Sequence, residues 1–246
     1  MEKHFEQHIS RQFNQELEML RQDVMAMGGM AEEMVREALT ALVEGDTARA
    51  QQVIDMDDEV NQMEKDIDAQ CNMILARRQP TASDLRLVLA IIKTVNDLER
   101  VGDEAERIAK IAVRLADTDR PRGNYHELET MGVTVRSMLH DALDGFVRLV
   151  PEVAMALVRE DEKVDSEYEG LLRQYYTYLV EDPRSTRRVI DCIWIARSLE
   201  RIGDHAKNIG EYIIYLVEGK DLRHSPRDEM ERTLMQDGDE DGDSKG

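Results

Sequence analysis

The chain has 246 residues, of which 34% are charged and 41% apolar, and its formal net charge at pH 7 is −20. So acidic a chain lacks the basic face with which nucleic-acid-binding proteins displace counterions, and anionic bilayers repel it for the same reason. We therefore predict no nucleic-acid partner and no direct membrane insertion. The amino terminus is polar, and no run approaches the roughly 18 apolar residues of a membrane-spanning helix, so we predict a cytoplasmic protein.

Apolar residues recur at helical spacing from the start of the chain. The first amphipathic stretch covers residues 13–43, and Asp46 is placed to cap a second helix over residues 47–76. Pro80 ends that helix, and a third follows it. Helices of about 30 residues, or roughly 45 Å, joined by such short loops must lie antiparallel. The first half of the chain is therefore predicted to form a three-helix bundle.

The same pattern returns in the second half, after a predicted linker at residues 117–124. Met27-Gly28 recurs as Met131-Gly132, an offset of 104 residues (131 − 27). In the third helix the offset is 101 (199 − 98), and the hexapeptide Leu98–Asp103 returns as Leu199–Asp204. Divergent coiled coils preserve the hydrophobic class of a position, but here Glu, Arg, Gly and Asp recur in order. We infer an internal duplication.

These patterns predict an all-α protein made of two tandem antiparallel three-helix bundles. The first repeat is placed at residues 1–118 and the second at residues 119–224. The remaining residues, 225–246, are rich in acidic residues and glycine and cannot bury apolar area, so we predict a disordered tail.

The repeated acidic pair in the third helix of each repeat is the candidate functional feature. Glu99 with Asp103, and Glu200 with Asp204, stand four residues apart and so share a helical face. Adjacent carboxylates repel unless a cation lies between them, so we predict that the four residues bind metal. Carboxylates and an amide of the second helix of each repeat form a second tier of candidate ligands: Asp57, Asn61, Asp161 and Asp165. The competing interpretation is that these acids are solvated or paired with arginines such as Arg201.

The donor atoms leave the identity of the ion open. Carboxylate oxygens suit divalent or trivalent ions, and Mg, Mn, Fe and Zn are candidates, with Ca also compatible. The catalytic motifs of metalloproteases, hydrolases, P-loop proteins and dinucleotide-binding enzymes are absent, and no Glu is followed three residues later by His, as di-iron bundle enzymes require. We predict a protein that is not an enzyme and has no catalytic residue. His205, the histidine nearest an acidic pair, is interpreted as a surface or supporting residue.

At these residues the chain resembles the PhoU family. That family is marked by a stretch of the form [D/N/S]-L-E-R-x-G-D-x-A-x-x-I on the third helix of each bundle, which corresponds here to Asp97–Ile108 and Ser198–Ile209. Gln79–Arg86 and Glu181–Arg184 resemble the segments that precede the third helices of the family. The resemblance extends over about residues 5–224, and Asn61 departs from it where an acid is usual.

The resemblance implies metal binding at Glu99, Asp103, Glu200 and Asp204, a homodimer, and a regulatory role. Proteins of this family act as negative regulators of the phosphate regulon and modulators of phosphate uptake. They link the ATPase subunit of a phosphate-specific ABC transporter to a sensor histidine kinase, which would place this chain at the inner membrane only through its partners. A metal-dependent enzyme, such as a di-iron oxidase or phosphohydrolase, and a metal-free structural scaffold are the alternatives.

Overall fold

The structure, a computed structural model, describes residues 2–116 and 125–222, with side chains from residue 12 onward. Within these ranges it contains six α-helices and no strand, which confirms the predicted fold class. The helices are α1 (Glu2–Glu44), α2 (Thr47–Arg78), α3 (Ala82–Ala116), α4 (His126–Arg148), α5 (Glu152–Glu181) and α6 (Thr186–Glu218). The predicted linker at residues 117–124 and the predicted tail at residues 225–246 lie outside the described residues.

Local capping residues define two of the helix boundaries, one of them the predicted cap Asp46. Gly45 ends the first helix with φ 73°, and the Asp46 carboxylate accepts hydrogen bonds of 3.0 Å from the backbone amides of Ala48 and Arg49. Before the last helix, the Asp182 carboxylate accepts a 3.1 Å hydrogen bond from the Arg184 amide, but the residues that follow form a single 3₁₀ turn. Helix α6 itself therefore begins three residues later than a helix starting at Pro183 would.

Contacts between helices define two equivalent groups, the first repeat (α1–α3) and the second repeat (α4–α6). The two groups join where α1 packs against α4 and α3 against α6. Helices α2 and α5 flank this central layer and contact no helix of the other repeat within the described ranges. One continuous apolar core runs through both repeats, so the four central helices are buried on more than one side.

Glycines of the first and fourth helices make reciprocal close contacts between the repeats. A Cβ atom on Gly28 would stand 2.6 Å from Leu143 Cδ2, and a Cβ on Gly132 would collide in the same way with Leu39. Since the offset of 104 residues relates Gly28 to Gly132 and Leu39 to Leu143, the duplication also relates the two contacts. Each glycine admits the leucine of the other repeat, which explains why both copies retain it.

Both cysteines, Cys71 and Cys192, are free and buried, as expected for reduced thiols packed in a core. Burial raises the pKa of the Cys71 thiol to about 12 and that of the Cys192 thiol to about 11, which makes them unreactive.

In the described part of the chain, no helix combines the length and the apolar character that crossing a bilayer requires.

Candidate metal centre

The acidic pairs lie where the third helix of each repeat crosses the second. A Cβ atom on Gly102 would stand 3.3 Å from Val60 Cγ1 and 3.4 Å from Asp57 Oδ1, so the bare backbone there faces a carboxylate of α2. The equivalent Cβ on Gly203 would stand 3.8 Å from Asp161 Oδ1. At each glycine the missing side chain permits close packing of the two helices and leaves space beside a carboxylate.

Asp57 is the most informative residue of the first repeat. Its side chain is buried, with 8% of its surface exposed, and Oδ2 accepts a 2.8 Å hydrogen bond from Asn61 Nδ2. The other oxygen, Oδ1, is buried and has no hydrogen-bond partner among the described residues. Burial, followed by the negative charges of Glu106 and Asp103, raises the pKa of the Asp57 carboxyl. The negative charge of Asp57 at this crossing is therefore not balanced by a hydrogen-bonded cationic side chain.

Glu99 extends this acidic site along α3. Burial and then the charge of Asp103 raise the pKa of Glu99, against a smaller opposing effect of Arg100. The Nε atom of Arg100 lies 3.3 Å from Glu99 Oε2, but that oxygen makes no hydrogen bond within the described ranges, and the arginine is half-exposed. We call the four residues Asp57, Glu99, Asp103 and Glu106 the first acidic cluster.

In the second repeat, cationic side chains lie beside the acids where α5 and α6 cross. The ammonium group of Lys207 donates hydrogen bonds to Asp161 Oδ2 and, over 3.2 Å, to Asp204 Oδ1. The guanidinium of Arg197 donates to Glu200 Oε1. We call Asp161, Asp165, Glu200 and Asp204 the second acidic cluster, and three of its four members have a cationic partner. These pairs compensate only part of the negative charge, because burial still raises the pKa of Asp161 and of Glu200, and Glu200 Oε2 has no hydrogen-bond partner within the described ranges.

Some of the predicted ligands lie near one another in the structure, with one difference between the repeats. The structure brings Asp57 beside Glu99 and Asp103, and Asp161 beside Asp204. The side-chain amide of Asn61, a predicted second-tier ligand, donates a hydrogen bond to Asp57. Sequence reasoning missed Lys207 and Arg197, although the offset of 101 residues pairs them with Glu106 and Asn96 and so marks a change of charge at both positions.

A metal ion fits the first acidic cluster by its chemistry. Carboxylate oxygens are the donors that Mg²⁺, Mn²⁺ and Ca²⁺ prefer, and a cation would compensate Asp57 Oδ1. As the side chains stand, no three His, Cys, Asp or Glu residues of the described ranges are arranged to hold such an ion. Mutual repulsion keeps carboxylates apart, so rotation of these side chains would be needed to bring their oxygens onto one ion.

A second set of charged residues lies between α3 and α6. Glu104 is buried and its carboxylate pairs with Arg201 of the other repeat. Asp97 contacts His205 Nδ1 at 2.7 Å and accepts a 3.1 Å hydrogen bond from Asn208 Nδ2. Arg201 therefore serves the contact between the repeats and not the acidic motif, and His205 lies in that contact, away from the exposed surface.

Together, the fold and the site define a helical protein of two duplicated three-helix units, each with an acidic motif where its second and third helices cross. The family model of the PhoU domain matches the chain twice, at residues 24–112 and 128–213. The chain belongs to the PhoU family.

Named relatives and solved structures agree with this assignment. A phosphate-specific transport system accessory protein PhoU homolog of Pseudomonas putida is 53% identical over 218 residues, which are 88% of this chain and 85% of that protein. The accessory protein PhoU of Escherichia coli is 47% identical over 92% of this chain and 94% of its own. The crystal structure of PhoU from Pseudomonas aeruginosa superimposes with a TM-score of 0.82 at 49% identity, covering 85% of this chain and 100% of that one. The phosphate transport regulatory protein PhoU of Streptococcus pneumoniae gives a TM-score of 0.78 at 32% identity, covering 85% and 98%.

Proposed function

We propose that this chain is a non-enzymatic accessory regulator of phosphate uptake. The carrying observation is its 53% identity, over 88% of its length, to a relative whose name describes an accessory protein of a phosphate-specific transport system. In this proposal the chain acts as a negative regulator of the phosphate regulon. When phosphate is plentiful, it restrains uptake and keeps the genes of phosphate starvation off.

The chain performs this role as an adaptor in the cytoplasm, acting as a homodimer. One partner is the ATPase subunit of a phosphate ABC transporter, and the other is the sensor histidine kinase of the regulon. The flanking helices support an adaptor, because α2 and α5 pack only within their own repeats in the described ranges and leave long outer faces. Helix α2 alone has 32 residues, or about 48 Å of potential docking surface.

A bound metal ion would stabilise the crossing of α2 and α3. Asp57, Glu99 and Asp103 would hold the ion, with Glu106 adding negative charge beside it. The ion supplies charge compensation for buried carboxylates and not chemistry on a substrate. It would fix the direction of α3 relative to α2, and so the shape of the surface that partners meet.

Affinity capture tests the adaptor role directly. A tagged chain is isolated from cells grown at high and at low phosphate, with and without a chelator, and the proteins that copurify are identified. We expect the transporter ATPase and the histidine kinase at high phosphate. Capture of neither protein under any of the four conditions, from cells that express both, would overturn the adaptor proposal.

A metal-free structural scaffold is the second candidate, and the second repeat favours it. There, Lys207 and Arg197 already neutralise acids that would otherwise bind metal. Elemental analysis of the purified chain and of a variant with Glu99, Asp103, Glu200 and Asp204 all replaced by Ala separates the two candidates. Equal metal content in both proteins would favour the scaffold. The metal-dependent enzyme has no comparable observation in its favour.

A further inference from the structure

The surroundings of the two acidic clusters differ in charge at positions of the third helix that the duplication relates. The offset of 101 residues aligns Glu106 with Lys207 and Asn96 with Arg197. Each of these cations in the second repeat contacts an acid of the second acidic cluster, whereas the first repeat has an anion or a neutral amide at the same place. The charge near the crossing therefore shifts toward positive only in the second repeat.

Lys207 is held as a cation where it stands. The side chain is largely buried, with 24% of its surface exposed, and burial alone would favour the neutral amine. The ammonium group is instead held by hydrogen bonds to Asp161 Oδ2 and, over 3.2 Å, to Asp204 Oδ1. A fixed ammonium between two carboxylates does electrostatically what a small metal cation would do there.

The first repeat has no equivalent internal cation. Its nearest basic residues, Arg100 and Lys110, are about half-exposed. Arg100 pairs with Glu99 and Asp103, and Lys110 pairs with Glu106, all on the same helix. Neither hydrogen-bonds to Asp57, whose Oδ1 atom stays buried and unpartnered within the described ranges. Glu99 and Glu200 each have one buried oxygen without a partner, so the repeats differ at the carboxylate of the second helix, where Asp57 Oδ1 is unpartnered and Asp161 is bonded to Lys207.

We propose that Lys207 is a built-in cation that replaces metal in the second repeat, so that only the first repeat takes up a metal ion. Glu106 in the first repeat and Lys207 in the second are the residues that decide whether a repeat binds a metal ion or contains an internal cation. Asp165 is an extra carboxylate of the second repeat, since its counterpart is Asn61, but the two cations Arg197 and Lys207 offset it. The inference rests on the metal binding included in the proposed function and specifies where it occurs.

The test is metal content after loading with Mn²⁺ and removal of free ion by desalting. We expect the wild-type chain to bind Mn²⁺ and Asp57→Asn to lose most of it, while Asp161→Asn keeps the wild-type content. Lys207→Met removes the internal cation with a side chain of similar length and should raise the Mn²⁺ content about twofold. Glu106→Lys, the reciprocal change, should remove the bound Mn²⁺.

Lys207→Glu should also increase the Mn²⁺ content, because it replaces the internal cation with a carboxylate that can bind the ion. The added negative charge should also make folding of this variant depend on Mn²⁺. The stabilisation by Mn²⁺ is followed for every variant as a shift in thermal midpoint, which also shows whether the chain is folded. The inference is overturned if folded Lys207→Met binds no more Mn²⁺ than wild type, if Asp161→Asn lowers the wild-type content, or if no protein in the set binds Mn²⁺.

These measurements on purified protein separate this inference from the proposed function. Loss of phosphate-dependent capture of partners, with the expected metal pattern, would refute the adaptor role alone. Normal capture of partners by a chain that loads Mn²⁺ equally in both repeats would refute the internal cation alone.

Discussion

Asp57 and its counterpart Asp161 differ because only Asp161 accepts a hydrogen bond from a cationic side chain. Asp57 is buried beside other acids, whereas its counterpart Asp161 is hydrogen-bonded to Lys207. Removing an uncompensated buried charge relieves a desolvation cost, but removing one partner of a buried ion pair leaves the other charge unpaired. The same chemical substitution should therefore have opposite effects at the two sites.

Without metal, Asp57→Asn should stabilise the chain by about 1 kcal/mol, and Asp161→Asn should destabilise it by about 2 kcal/mol. Chemical denaturation in the presence of a chelator measures both free energies of unfolding. The two variants are controls for each other, because each replaces the same acid at the same place in its repeat. Destabilisation by both substitutions to a similar extent would contradict the difference in compensation.

The pH dependence of stability follows from the raised pKa values of Asp57 and Glu99, and those of Asp161 and Glu200 act in the same direction. A carboxyl whose pKa is higher in the folded chain binds more protons when folded, so its contribution to stability is full below the unfolded pKa and is lost as pH rises through the folded pKa. The metal-free chain should therefore gain thermal stability from these groups as pH falls from 7 toward 5.

Thermal midpoints across that pH range, with chelator present, check this expectation, and Asp57→Asn should reduce the gain. Mn²⁺ should reverse the trend, because the ion competes with protons for the same oxygens. A chain whose midpoint rises with pH in chelator, to the same extent in wild type and variant, would show that these acids carry no raised pKa.

At the scale of helices, the contact between α1 and α4 depends on residues without side chains. Gly28 is buried against Leu143, whereas the neighbouring Gly29 has no atom within 4 Å of a built Cβ. Gly28→Ala should destabilise the chain by about 1 kcal/mol, because overpacking outweighs the gain in helix propensity. Gly29→Ala should stabilise it by about 0.5–1 kcal/mol through propensity alone.

Unfolding of the two glycine variants in denaturant, measured against wild type, gives the comparison directly. The adjacent position makes Gly29→Ala a close control, since both changes add the same methyl group to the same turn of α1. Equal shifts of the same sign would show that the close approach of Leu143 does not limit this position.

The sequence predicts much of this structure because helix period, caps and duplication are local signals. The order of helices, the Asp46 cap and the grouping of Asp57 with Glu99 and Asp103 all follow from spacing. The roles of Lys207 and Arg201 do not, because which acid a long basic side chain reaches depends on how helices cross. The change from Glu106 to Lys207 is visible in the aligned repeats, but its effect requires the position of Asp161.

At the scale of the whole molecule, the two repeats form one cooperative unit. A continuous apolar core spans all six helices, and the pair formed by Glu104 and Arg201 bridges α3 and α6. We expect a single calorimetric transition, since neither repeat can expose its side of this core alone. Glu104→Ala removes the carboxylate that pairs with Arg201 and Arg107, and should lower the midpoint at a cost of about 2 kcal/mol, yet keep one transition.

Calorimetry of wild type and Glu104→Ala decides this point. Exposed pairs such as Arg173 with Glu169 on α5 offer a control, since their removal should change stability by less than about 1 kcal/mol. Two resolved transitions in the wild-type chain would mean that the repeats unfold independently.

The most direct test of the central claim, a duplicated helical regulator that keeps phosphate-starvation genes off, is alkaline phosphatase expression in a strain lacking this chain. At high phosphate, the deletion strain should express the phosphatase, and the wild-type chain supplied in trans should restore repression. A deletion strain that still represses the phosphatase at high phosphate would contradict the account.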